Sequence, residues 1–307
     1  MLGYTLKRLL SAIPTLLVII TLAFALLHAA PGGPFDEEKA LPPEVKANIE
    51  RAYHLDESLP RQYIRYLGQI LHGDLGPSYQ YRDTTVTELV AQGFPVDFTI
   101  GVIALVLALL IGIPIGVWAA VKQNTAQDYV PMAVAMLGIS LPVFIVAPVL
   151  ILIFAVLLHW LPAGGWAGGA PSHIVLPAVS MALPFAAYLA RLMRGSLVDV
   201  LGSPFIRTAR AKGLPTRTVV WVHALKPALM PIVSFLGPAV VGIISGSIVI
   251  ETIFGLPGMG RYFVDGALNR DYTVVLGVTV LYGVMIVVAN LVADLCYAAL
   301  DPRIRYQ

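Results

Sequence analysis

The chain has 307 residues, 58% of them apolar and only 12% charged. A soluble domain carries about 25% charged residues, so the composition excludes an ordinary soluble globular protein. Disorder is excluded too, because apolar surface is abundant and the formal net charge is only +2. What remains is an all-α membrane protein.

A hydrocarbon core of about 30 Å takes roughly 20 apolar residues of helix. In chain order, six segments meet that length: 9–30, 98–121, 129–158, 174–192, 228–250 and 274–300. Lys7 and Arg8 precede the first. Its apolar run exceeds the about 7–15 residues of a signal-peptide h-region, so an uncleaved anchor is expected. The third is long enough that it must tilt, overshoot or kink, with Pro131, Pro142 and Pro148 as kink points. Gly112 and Gly116 in the second span, and Gly242 and Gly246 in the fifth, read as sites of close helix packing.

Between the first two spans, residues 31–97 hold 11 acidic and 6 basic residues. Pro43 opens a helical stripe of Val45, Ile49 and Tyr53, and Pro60 opens another of Ile64, Leu67 and Leu71. One apolar stripe each suits a small helical cap on the membrane part. Tyr63, Tyr66, Trp160 and Trp166 fit an aromatic belt at the external interface.

Basic residues set the orientation. Twelve of the 20 (Lys7, Arg8, Lys122, the seven from Arg191 to Lys226, Arg303 and Arg305) fall on one side. The positive-inside rule then places both termini in the cytoplasm. The expected plan is an N-terminal tail and first helix over 1–30, an external helical segment over 31–97, a membrane core over 98–300 and a cytoplasmic tail over 301–307. The lone Cys296 excludes an internal disulfide, and the six histidines have no metal-ligand spacing, so no metal is expected. No GxxxxGK[ST] motif occurs, so this chain is not expected to hydrolyse nucleotide or to act as an enzyme. Nothing points to nucleic acid; membrane lipid is the surrounding partner.

The cytoplasmic stretch 203–227 is the most informative. Ser203 suits a helix N-cap and Pro204 its first turn; Gly213 supplies a left-handed residue after it, and Pro215 stops continuation. The spacing predicts a helix of about two turns, a tight bend, and a second helix leading into span five. Phe205, Thr208, Ala209 and Lys212 share one face, with Ala209 and Gly213 leaving room for close approach. Only Phe205 and Ile206 are strongly apolar, too little for a lipid-bound helix, so docking to a cytoplasmic protein is favoured.

Arg207-Thr-Ala-Arg-Ala-Lys-Gly213, with His-Ala-Leu-Lys-Pro-Ala-Leu over 223–229, resembles the EAA loop of permeases in binding-protein-dependent ABC importers. Pro31-Gly32, Gly73-Asp-Leu-Gly-Pro-Ser78, Glu251-Thr-Ile-Phe-Gly-Leu-Pro-Gly-Met-Gly260 and Asp301-Pro302 are similar to the peptide (oligopeptide and dipeptide) branch. The resemblance spans nearly the whole chain. It implies a type I importer permease fold in the bacterial inner membrane. It also implies peptide cargo, a second homologous permease subunit, two ABC ATPase subunits and an external solute-binding protein. No cofactor is implied for this chain; ATP and Mg belong to the partner ATPases. The coupling residues it implies are Phe205, Arg207, Thr208, Ala209, Arg210, Gly213, Leu214 and Pro215. The general motif opens with Glu where Arg207 stands, so any salt bridge made by that Glu does not transfer in sign.

Ser245, Ser247, Asn290 and Asp294 are the polar candidates for a translocation path. Asn290 and Asp294 are one turn apart on the sixth span. A secondary, ion-coupled transporter is the alternative. It would want ionisable residues near the membrane midplane or internal repeats. Spans two and five have no ionisable residue, and no repeat is visible.

Overall fold

The computed structural model describes residues 2–30, 32–35, 42–81, 83–245 and 248–300. Pro31, Gly246, Ser247 and the tail 301–307, all singled out above, lie outside the described residues. In chain order the helices are α1 (Leu2–Ala29), α2 (Pro43–Ala52), α3 (Leu59–Leu71), α4 (Val86–Val121), α5 (Ala126–Ser140) and α6 (Val143–Leu150), which continues as a π-helix over Ile151–Leu157. Then follow α7 (Pro171–Leu201), α8 (Pro204–Ala211), α9 (Thr216–Thr218), a π-helix over Val219–Ala224, α10 (Leu225–Ala228), α11 (Met230–Ile244), α12 (Ile248–Phe254), α13 (Met259–Leu268) and α14 (Tyr272–Leu300). No strand occurs among the described residues, only an isolated bridge between Pro77 and Thr85.

Four helices, α1, α4, α7 and α14, contain stretches long and apolar enough to cross a membrane. Two bent pairs bring the number to six if each is one span. The expected third span is broken: α5 and the α6 run meet at 104°. The break falls at Leu141-Pro142, both with extended ψ values. Pro142 has no N–H to continue the ladder and pushes the residue before it out of the helical region. Pro131 and Pro148 stay inside helices. The second pair, Thr216–Ala228 with α11, bends by 48°, and the Ser196 hydroxyl donates to the Ala228 carbonyl at that bend (2.9 Å).

α4 begins at Val86, well before residue 98, because Thr85 and Glu88 form a capping box. The Glu88 N–H donates to Thr85 Oγ1 (3.2 Å), and the Thr85 N–H donates to Glu88 Oε2 (2.9 Å).

The chain divides into two compact units, one of residues 1–5, 96–256 and 286–307, the other of 6–95 and 257–285. In the first, Leu189, Met193, Leu197, Ile206, Ile232, Ile243 and Phe254 are wholly buried. Lipid tails are as apolar as these side chains, so close packing, not escape from water, must hold spans together. Gly112 and Gly116 provide it. A Cβ at Gly116 would lie 2.5 Å from the Ala190 carbonyl oxygen, and one at Gly112 would lie 2.6 Å from that of Ala186. A Cβ at Gly242 would meet the Phe185 ring at 3.9 Å, an ordinary contact, so among the described residues no helix approaches it as closely as at Gly112 or Gly116. On α11 that role falls to Gly237, where a Cβ would lie 2.8 Å from Asn290 Oδ1.

In the second unit, Ile20, Phe24, Tyr66 and Leu276 form a core with Tyr63, Leu67 and Ile70 against it. The stripe read on α3 is therefore turned. Ile64 is 69% exposed and Leu71 85% exposed, while the tyrosine face packs. Both stripes have helical spacing, but the tyrosine rings bury more area and carry a polar handle. Tyr63 Oη lies 2.6 Å from Thr21 Oγ1. Tyr66 is thus a core residue of this unit with Tyr63 packed against it, and Trp160 is exposed. Val45 on α2 is also exposed, and Tyr53 stacks with Phe35 and meets Tyr79 edge-on.

Candidate coupling loop

The loop grows out of α7, the most buried of the long apolar helices. Gly202 closes α7, and Pro204 starts α8 at its first turn. The Ser203 side chain does not cap α8. Its hydroxyl turns back to donate to the Val200 carbonyl (2.6 Å), so α8 relies on Pro204, which has no N–H to leave unpaired. At the other end Gly213 has φ +79°, and its N–H donates to the Arg210 carbonyl (2.9 Å). That left-handed position favours glycine and ends the helix sharply.

α8 divides its residues between two surroundings. Ile206 and Ala209 face inward and join a core with Leu197, Val219, Val220 and Ala224. Leu214 is half-buried against the same core. Phe205 (50% exposed), Arg207, Thr208, Arg210, Lys212, Gly213 and Pro215 face outward. The structure therefore corrects the face assigned above: Ala209 allows close approach of the chain's own π-helical segment, not of an outside partner. Two outward residues are fixed by short-range bonds, Arg207 Nη2 to the Gly202 carbonyl (3.3 Å) and Thr208 Oγ1 to the Pro204 carbonyl (3.2 Å). Residues 203–227 contain five bases and no acid, so the outward surface is positive.

A second feature supports the loop and was not read from the sequence. Asp128, wholly buried in the first turn of α5, accepts both prongs of Arg194 on α7: Nε to Oδ1 at 2.9 Å and Nη2 to Oδ2 at 2.7 Å. The Asn124 N–H adds a third bond at 3.0 Å, with Asn124 in the left-handed region at φ +62°. A bidentate guanidinium–carboxylate pair fixes orientation as well as distance. It clamps the broken span to the helix that carries the loop. The available signal was an acid opening one apolar span and an Arg near the end of another, opposite charges where lipid would welcome neither.

The path candidates are not gathered into one site. Ser245 ends α11 half-buried, Asn290 is exposed on α14 beside Gly237, and Asp294 is half-buried one turn further on. Among the described residues, no group of three or more His, Cys, Asp or Glu side chains is placed to hold a metal.

Residues 112–306 match the family model described as binding-protein-dependent transport system inner membrane component, and residues 1–101 match the model of its N-terminal part. The chain belongs to this family. Over 306 residues, covering 100% of this chain and 100% of that protein, it is 54% identical to the oligopeptide transport system permease protein OppB of Escherichia coli K12. It is 45% identical over 302 residues to the dipeptide transport system permease protein DppB of Bacillus subtilis, with 98% of this chain and 97% of that protein covered. Among solved structures, a chain of the MetNI methionine ABC transporter in inward-facing conformations superposes with TM-score 0.59 at 18% identity, over 70% of this chain and 97% of that one. A chain of an amino acid ABC transporter gives TM-score 0.52 at 17% identity, over 68% of this chain and 92% of that one. These structures share the fold. This member of the binding-protein-dependent transport family is a multi-pass inner-membrane transporter subunit and not an enzyme.

Proposed function

We propose that the chain is one of two homologous permease subunits in an ATP-driven importer of peptides. Peptide cargo follows from its likeness to the oligopeptide and dipeptide permeases named above. In this reading six spans place both termini in the cytoplasm, with each bent pair counted as one span. An external solute-binding protein delivers cargo. Two ABC ATPases dock from the cytoplasm, and ATP and Mg stay on those subunits.

The observation that carries the reading is the division of α8. Its inner side is sealed to the chain's own core, while Phe205, Arg207, Thr208, Arg210, Gly213 and Pro215 remain on a positive outer surface. Such a helix transmits force: it cannot be displaced without carrying its core with it. Closure of the ATPase dimer pushes α8, and α7 follows. Ser245, Ser247, Asn290 and Asp294 are the proposed polar contacts along the peptide path.

The test is to tag the chain, extract it in mild detergent, and identify co-purifying subunits by mass spectrometry. Arg207→Glu and Gly213→Pro variants run alongside. Recovery of an ATPase and a second permease, reduced in the loop variants, supports the proposal. Recovery of the chain alone, moving solute in liposomes without ATP, rejects it in favour of a secondary transporter.

A further inference from the structure

The second unit contains a cavity of about 220 Å³ among α1, α3, the loop at Pro77–Tyr79 and the start of α14. Its share of liquid water, about 30 Å³ per molecule, makes it large enough for several waters or one small solute. Nothing in the coupling mechanism uses it.

Its chemistry is one-sided. No Asp or Glu lines it, whereas Arg65, His28 and His54 do. The nearby carboxylates are already engaged: Glu57 accepts from Arg65 Nη2 at 2.5 Å, and Asp271 takes the donors of the Ser78 loop. Arg65 still has further N–H donors.

His28 is held in the wall by two acceptors. Its Nδ1 lies 2.8 Å from the Phe24 carbonyl and its Nε2 lies 3.3 Å from Gln62 Oε1. The Gln62 amide cannot turn to relieve this, because its nitrogen donates to the Leu55 carbonyl (3.1 Å) and the Glu57 carbonyl (2.8 Å). Both ring nitrogens thus face acceptors. The ring stacks on Phe24 at 4.0 Å and tilts against Tyr272 at 5.2 Å, which fixes its orientation in the wall.

One donor in the wall has nothing to bond. Tyr66 is 5% exposed, and its hydroxyl has no hydrogen-bond partner among the described residues. A buried hydroxyl in that condition is rare and needs a partner. Because Tyr66 lines the cavity, whatever occupies the cavity supplies that partner. Glu57 is held by Arg65 and lies 3.7 Å from His54, so the Tyr66 hydroxyl and the remaining Arg65 N–H groups are the donors left over; they select an acceptor-only group, and a carboxylate is the common one.

We propose that this cavity binds the carboxylate group of a small free solute. The Tyr66 hydroxyl and the Arg65 guanidinium donate to it, and the His28 ring lies behind it. The proposal does not rest on the importer reading, since its readout is binding and not transport.

The experiment uses trifluoroacetate as the probe and fluorine NMR line broadening as the readout. The transporter is purified in non-ionic detergent with whatever subunits accompany it. Trifluoroacetate broadens, excess acetate removes the broadening, and neutral trifluoroacetamide does not broaden. Tyr66→Phe, which keeps the ring, weakens binding about tenfold, the weight of one hydrogen bond to a charged group. Arg65→Gln, at a partly exposed side chain, weakens it independently should the Tyr66 variant misfold. Equal broadening by the amide overturns the proposal. So does equal displacement by chloride, or unchanged binding in both variants.

Discussion

Ser78 Oγ donates to Asp271 Oδ2 at 2.5 Å, joining residues 193 positions apart in the chain. The same oxygen accepts the N–H groups of Tyr79 (3.0 Å) and Gln80 (3.2 Å). Oδ1 accepts from Thr273 Oγ1 (2.9 Å) and the Val274 N–H (3.3 Å). One wholly buried carboxylate thus caps α14 and gathers the loop that ends the Gly73–Ser78 stretch. Asp271→Asn keeps the shape but turns an NH2 group toward donors. Each charged hydrogen bond is worth about 1.5–3 kcal/mol, so a loss of at least about 2 kcal/mol is expected. Ser78→Ala, which leaves the carboxylate its other donors, costs about 1 kcal/mol. Denaturant unfolding of the purified protein checks both, and equal effects would reject the hub.

The Asp128–Arg194 clamp predicts an asymmetric mutant pair. Arg194→Lys keeps the charge but loses the two-pronged geometry, and transport falls while the protein still accumulates. Asp128→Asn leaves a guanidinium with no counter-charge, at a cost of about 3–5 kcal/mol, so the protein itself is lost from the membrane. Immunoblots of membrane fractions beside uptake assays separate the two outcomes.

Neighbouring residues of α8 predict opposite phenotypes. Ile206→Asp puts a charge into the core formed with Leu197 and Val219, so the chain fails to accumulate. Phe205→Ala, at a half-exposed position, leaves accumulation intact and reduces recovery of the ATPase at least about fivefold, the loss of about 1 kcal/mol from an aromatic contact. If both variants lose protein equally, the division of the helix is wrong.

Gly116→Val tests the packing of α4 on α7. Its Cβ would lie 2.5 Å from a main-chain oxygen, Ala190 O, and 2.6 Å from Met193 Cβ. Backbone cannot rotate away, so the helices must part at a cost of about 1–3 kcal/mol. Gly195→Val, where nothing lies within 4 Å of an added Cβ, lacks that collision. Comparing unfolding midpoints in detergent checks the difference.

Tyr66 and Tyr79 give a pH prediction. Burial raises both phenols well above the ordinary tyrosine range, and Asp271 raises Tyr79 further. The folded state keeps protons that the unfolded chain releases near about pH 10. Stability is therefore present in full below that pH and falls above it, by about 1.4 kcal/mol per pH unit for each phenol. Tyr66→Phe makes the fall shallower. An ultraviolet titration checks the cause, since these two of the 13 tyrosines ionise only as the protein unfolds.

Much of this was legible in residue order. Twenty-residue apolar runs mark spans whatever their neighbours, and Pro204 with Gly213 brackets α8 by backbone chemistry alone. The 104° break needed Pro142 to be chosen over Pro131 and Pro148, and only local packing chooses. The α3 face was misread because two stripes share one period, and contact with Phe24 and Leu276 decides between them. The Asp128 clamp and the Asp271 hub join residues distant in sequence, and neither partner marks the other. Ala209 was placed outward for the same reason: its inward neighbours lie beyond the bend.

The clamp also sets a mechanical ratio. Arg194 lies seven residues from the end of α7 at Leu201, about 10 Å along the axis, and 23 residues from its start at Pro171, about 35 Å. Under the proposed coupling through α8, the clamp would divide α7 into a short arm toward the loop and an arm about three times longer on the other side, so the position of Arg194 along the helix would decide how a displacement at α8 is shared between its two ends.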